Sequence, residues 1–245
     1  MRSPDEISPF ATVGPAIYDK GTVFLRTVEN IVGREEFDAW LTQWFDEHAF
    51  EPVTSEMFLA DMREKLVEDN EELEERLMLD EWVYGTGLPD NAWEPDPQAF
   101  AAVDAAASAY AANGTLPEAQ SWNGWTAAEQ RRFLEELPTE LSDQQLAAID
   151  RRLGLSRTGN NEVLFLWLEA ALRNEYQPAV PQAERFLARV GRNKFVNPIF
   201  TALNETEWGK PIARRIYAET RGGYHAYTRG NVDKTLDYAG EGAET

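Results

Sequence analysis

Few residues in this chain can do chemistry, and those that can stand far apart. A lone tyrosine, Tyr18, sits at the front edge of an apolar stretch, PAIYDKGTVFLRTVENIVG, Pro15 to Gly33. The ordinary reading of such a phenol is a half-buried ring with its hydroxyl in water. A working role needs support from the rest of the chain. The second place is VGRNKFVNPIF, Val190 to Phe200, where Arg192 and Lys194 alternate between a helix-ending glycine and a proline. Two residues apart in an extended or turn conformation, these cations point the same way and can clamp a carboxylate. Their plainer use is a basic loop that pairs with some of the chain's 43 acids. On composition alone the plainer use is favoured.

Other chemistry is missing. There are two histidines, His48 and His225, and no cysteine. Neither histidine has a second one three to five residues away, so the chain is expected to hold no metal. His48 reads as a partner for the C-terminal end of a helix and His225, after two glycines, as part of a turn. No Gly-x-Ser-x-Gly elbow and no glycine-rich phosphate loop after a strand is present. The carboxylates are plentiful but scattered over helix faces. Taken alone, the residues describe a helical scaffold without an active centre of its own.

The elements that must position these residues read as all-α. Phe24, Val28, Ile31 and Val32 recur with helical spacing after Tyr18, and Gly33 can end that helix. Phe37, Trp40, Leu41, Trp44 and Phe45 repeat the pattern as one broad aromatic stripe, the habit of a core rather than of a binding platform. Pro52 stops that element and Thr54 can cap the next. Tyr84 to Pro97, YGTGLPDNAWEPDP, loses the helical period and reads as a linker between two domains. Beyond it, Thr126 to Glu129 and Ser142 to Gln145 are capping boxes, and Asn161 to Asn174 is apolar on most faces, as a central helix is. Helix pairs in series suggest an α-solenoid layer, although no internal repeat stands out.

With a net charge of −20 the surface repels phosphate backbones, so nucleic acid is not an expected partner. No stretch is long and apolar enough for a membrane span, and Met1 is followed by no signal-peptide core. Together with the absence of cysteine this suits a cytoplasmic protein.

Both chemical oddities fit one resemblance. The segment from PAIYDKG through SEMFLADM resembles the part of peptidase family M1 that follows its zinc site, where a Tyr-Glu-Lys-Gly step opens a helix. The branch it is most similar to is that of leukotriene A-4 hydrolase and aminopeptidase B. EWVYGTGLP is similar to that branch's exit from the catalytic domain, NNEVLFLWL to a later helix, and GRNKFVNPIF to its Gly-Arg-x-Lys-Phe-x-x-Pro-x-Phe stretch. The resemblance implies that Tyr18 donates its phenol to the oxyanion formed when zinc-bound water attacks a peptide carbonyl. It implies that Arg192 and Lys194 bind the free carboxylate of a short peptide. The family's zinc motif, its third zinc ligand and its Gly-x-Met-Glu-Asn motif have no counterpart in this chain. Phe10 and Val13 stand where the hydrolase branch has an acidic residue and a tyrosine, which argues against epoxide hydrolysis.

The expectation is therefore an all-α chain in three parts. Residues 1–92 end a thermolysin-like catalytic domain, 93–240 form a helical C-terminal domain of armadillo or HEAT-like solenoid type, and 241–245 fray. The chain would be the C-terminal portion of a zinc aminopeptidase acting on short peptides, inactive alone, with zinc held by an upstream catalytic domain that is its partner. The alternative is a non-catalytic helical interaction module descended from that domain.

Overall fold

A computed structural model describes residues 14–238, and every regular element in that range is helical. Phe10, Val13 and the 241–245 tail lie outside the described residues. The helices divide into two compact units, one running to Asp96 and one starting at Pro97.

The first unit contains α1 (Gly14–Val32), α2 (Arg34–Glu47), α3 (Ser55–Met62), α4 (Glu71–Leu77) and α5 (Leu79–Tyr84). Gly33 separates α1 from α2 with φ of 94°, a conformation that costs glycine little. Thr54 caps α3 by accepting from the Met57 amide at 3.3 Å. Phe24, Phe37, Trp40, Trp44 and Trp82 are buried, most of them in one core with Val28, Leu59 and Met62. Phe45 leaves the expected stripe and is exposed, because it sits about 100° around the helix from Trp44. A single π-helical turn, Arg63–Val67, follows α3 and sets Lys65 against the buried Asp61 at 2.6 Å. The Trp40 indole N–H donates to the same carboxylate at 2.7 Å.

The irregular segment after α5 is not loose along its length. Asn91 accepts from the Trp82 indole at 3.0 Å and donates to the Arg76 carbonyl at 2.7 Å. The Trp93 amide donates to Thr27 Oγ1 at 2.8 Å. The Asn91 side chain and the Trp93 backbone thus pin the segment onto α1, α4 and α5.

The second unit contains α6 (Ala101–Asn113), α7 (Ala119–Gly124), α8 (Ala127–Glu135), α9 (Asp143–Leu153), α10 (Asn161–Arg173), α11 (Val180–Arg189), α12 (Asn193–Asn204), α13 (Gly209–Thr220) and α14 (Ala226–Leu236). Both capping boxes are formed, at Thr126/Glu129 and Ser142/Gln145. Helices pack chiefly on the one two places along: α6 on α8, α8 on α10, α10 on α12, α12 on α14, with α7 on α9 and α11 on α13. That alternation makes two layers. The central helix α10 buries Val163, Leu164, Phe165, Trp167, Leu168, Ala171 and Leu172, because it has neighbours on most sides.

One segment differs from its sequence reading. Val190 to Phe200 reads as a loop held between Gly191 and Pro198, but α12 begins at Asn193 and carries Pro198 inside it. A proline within a helix costs roughly 3 kcal/mol. Against that, Phe195, Val196, Ile199 and Phe200 are all buried by the helical turn. Each such side chain contributes about 1.5–3 kcal/mol, so burial wins.

Candidate functional site

Two places need describing, one in each unit. In the first, Tyr18 lies in the second turn of α1 rather than at its mouth, since the helix already runs from Gly14. Its side chain is 75% exposed, the opposite of a half-buried ring. Among the described residues its hydroxyl has no recorded hydrogen-bond partner, while its carbonyl accepts from Thr22 Oγ1 at 2.8 Å. The helix beneath it is well held. Phe24 stacks on Trp82 with ring centres 5.3 Å apart, and Lys20 Nζ donates to the Gly85 carbonyl at 2.8 Å. Gly21 and Leu25, three and seven residues on and so on the same face as Tyr18, line a shallow apolar groove of about 380 Å³ with Trp44, Val53 and Phe58. The phenol therefore projects to solvent from a rigid support, free to donate.

In the second unit, Arg192 is the N-cap residue of α12 and Lys194 sits in its first turn. The buried Phe195 ring is a floor beneath both cations. The Arg192 guanidinium lies 5.8 Å and the Lys194 ammonium 5.3 Å from its centre. Phe165 of α10 and Phe186 of α11 hold that ring in place, at 5.4 and 6.0 Å. The expected extended or turn conformation is not found: both cations lie within 5.8 Å of the Phe195 ring centre at the start of a helix.

Their partners differ. Lys194 Nζ donates to both carboxylate oxygens of Glu162, at 2.7 and 2.6 Å, across from the start of α10. Arg192 makes no ion pair with a carboxylate among the described residues, although the chain has 43 acids. Beside them Arg189 reaches Asn161 Oδ1 at 3.3 Å.

A ladder from α14 fixes this corner. Thr228 Oγ1 donates to the Gly191 carbonyl at 3.1 Å, Asn231 to Asn193 Oδ1 at 3.1 Å, and Thr235 to Asn197 Oδ1 at 3.0 Å. These donors are spaced three and four apart, so they share one face of α14. The buried Tyr224 hydroxyl donates to the Leu187 carbonyl at 2.9 Å, and burial pushes that phenol's pKa up. α14 is itself locked to α13. Arg221 makes two hydrogen bonds to Asp233, at 2.9 and 2.8 Å, and the Tyr217 hydroxyl donates to Asp233 at 2.7 Å. The Arg221 contact, with Tyr217 adding to it, holds the Asp233 carboxyl below the usual carboxylate range. Burial, with Asp233 adding to it, pushes the Tyr217 phenol up.

The histidines do local work. His48 is the C-cap residue of α2, with Nδ1 3.0 Å from the Trp44 carbonyl. His225 caps α14, its Nδ1 accepting from the Tyr227 amide at 3.2 Å. Among the described residues no group of three or more His, Cys, Asp or Glu is placed to hold a metal ion. The described residues therefore offer no site for zinc, which the M1 resemblance assigns to an upstream catalytic domain. No described helix is long and apolar enough to cross a membrane.

Nothing in the sequence singles out Glu162 or Phe195 as neighbours of Arg192 and Lys194. Glu162 looks like any acid in a helix's first turn, and its partner lies 32 residues away. Phe195 looks like any core position of α12.

Comparison with known proteins bears on both units. Residues 125–236 match the family described as leukotriene A4 hydrolase, C-terminal. Along 89% of its length the chain is 28% identical to leucine aminopeptidase 2 of Ajellomyces capsulatus, spanning 36% of that protein. Along 96% of its length it is 29% identical to leucine aminopeptidase 2 of Emericella nidulans, spanning 38% of it. The fold is similar to native yeast LTA4 hydrolase, with a TM-score of 0.72 and 20% identity over 97% of this chain and 42% of that one. The chain thus spans little more than a third of the length of these curated relatives.

Proposed function

We propose that this chain, whose residues 125–236 match the family described as leukotriene A4 hydrolase, C-terminal, is the C-terminal part of a zinc aminopeptidase that removes N-terminal residues from short peptides. In this reading the chain supplies two functions and leaves the metal to the remainder of the enzyme. Residues up to about position 92 complete the catalytic domain and those from 93 onward form the helical C-terminal domain.

The observation that carries the reading is the Arg192 guanidinium, open to an incoming carboxylate and held over the Phe195 face. Arg presents a planar fork that matches a carboxylate with two parallel hydrogen bonds. The N-terminal end of α12 adds a partial positive charge at the same place. Lys194, beside it, adds a point charge. Tyr18 serves the other end of the reaction. A phenol carried on a well-packed helix can donate to an oxygen that gains negative charge only in the transition state.

The test is kcat/KM for matched free-acid and amide-capped tripeptides on the complete enzyme. Arg192→Ala should lower the free-acid value by roughly 10- to 100-fold, the range of a lost charge-assisted contact. The amide should lose far less. Equal losses on both substrates would make the segment structural only and favour a helical interaction module instead.

A further inference from the structure

We propose that Glu162 is a specificity-determining residue: it neutralises Lys194 so that the carboxylate site works through Arg192 with one net positive charge instead of two. The inference rests on the clamp reading above and extends it to a residue outside the clamp.

The geometry is specific. Both Glu162 oxygens lie within 2.7 Å of Lys194 Nζ, which is a carboxylate already bound to one of the two cations. The backbone on both sides of the pair is held. Glu162 opens α10, Lys194 opens α12, and one residue past Lys194 the Phe195 ring packs on Phe165 with centres 5.4 Å apart. Asn160 caps α10 by accepting from the Glu162 amide at 3.0 Å, so the backbone at Glu162 is set. The side chains are 31% and 42% exposed, so water screens the pair but does not erase it.

A peptide carboxylate arriving at Arg192 meets the charges of Arg192, Lys194 and Glu162, with Arg189 close by. It is attracted by Arg192 and Lys194 and repelled by Glu162. The last two nearly cancel, because they are in contact with each other. Removing the Glu162 charge leaves both attractions in place. In a partly solvated setting, one unit charge a few ångströms away changes the affinity for an anion by roughly threefold to tenfold. Glu162 therefore holds affinity for free carboxylates down. Bound products carry such a carboxylate too, so weak holding also favours their departure.

Trialanine and trialanine amide serve as probes, titrated into the 245-residue chain at fixed ionic strength and followed by NMR at the Arg192 side chain and the amides of Asn193 to Phe195. Glu162→Gln keeps the size and a hydrogen-bond acceptor while removing the charge. It should bind the acid roughly threefold to tenfold more tightly than wild type, with the amide unchanged. Glu162→Asp keeps the charge and should bind the acid like wild type. A Glu162→Gln protein that prefers acid over amide yet binds the acid no more tightly than wild type would overturn the inference and leave the clamp standing. No preference for the acid in either protein would overturn both. Unfolding temperatures of the variants, matched to wild type, tie any change in affinity to the site.

Discussion

In the proposed function, the direct catalytic contribution of the first unit rests on the Tyr18 hydroxyl. Tyr18→Phe keeps the ring and removes only the donor. In the complete enzyme this should lower kcat by ~100- to 1,000-fold, the cost of one oxyanion donor. KM should hardly move, because the charge it serves exists only in the transition state. Near-normal turnover would return Tyr18 to an exposed surface residue. At this scale the sequence assigns a role only through its resemblance. Type and spacing picked out Tyr18, Arg192 and Lys194, but nothing local separated a working phenol from an idle one. Glu162 was illegible for a different reason. Its meaning depends on Lys194, 32 residues away, and no periodic pattern links positions across two helices.

Among the elements, α14 does most to hold the backbone around Arg192 and Lys194, through its three hydrogen bonds to Gly191, Asn193 and Asn197. α14 in turn is tied to α13 by Arg221 and Tyr217 on Asp233. Since the folded Asp233 carboxyl sits below its usual range, it stabilises the fold above the ordinary carboxylate pKa of about 3.9. That contribution fades as pH falls through the folded value. Asp233→Asn should cost about 1 kcal/mol at pH 7, a charge-assisted contact discounted for partial exposure. Unfolding of wild type and variant compared at pH 7 and pH 3 should show the difference shrinking at the lower pH. A constant difference would mean that the charge is not what locks α13 to α14. Helix existence was read well from caps and periodicity, as at Thr126, Ser142 and α10. α12 was not, because Gly191 and Pro198 are strong local breakers. The burial that overrides them becomes visible only once α10, α11 and α14 are packed around Phe195 and Ile199.

For the whole molecule, the two units each have a core of their own, and no buried residue belongs to both. Most of the large apolar side chains left exposed, among them Phe45, Phe50, Val53, Met57 and Tyr84, fall in the first unit. A fragment of residues 97–238 should therefore keep its helical circular dichroism and unfold in one cooperative step. A fragment lacking near-ultraviolet ellipticity would show that the second core needs the first. The linker reading of Tyr84 to Pro97 had the right composition but lacked the partners of Asn91 and Trp93, which come from α1, α4 and α5. The separate cores also have an optical consequence. Trp40, Trp44, Trp82 and Trp93 belong to the first unit and Trp122, Trp125, Trp167 and Trp208 to the second. Replacing the four indoles of either unit with phenylalanine would leave emission from the other alone, so each unit can be made to report its own state in the intact chain.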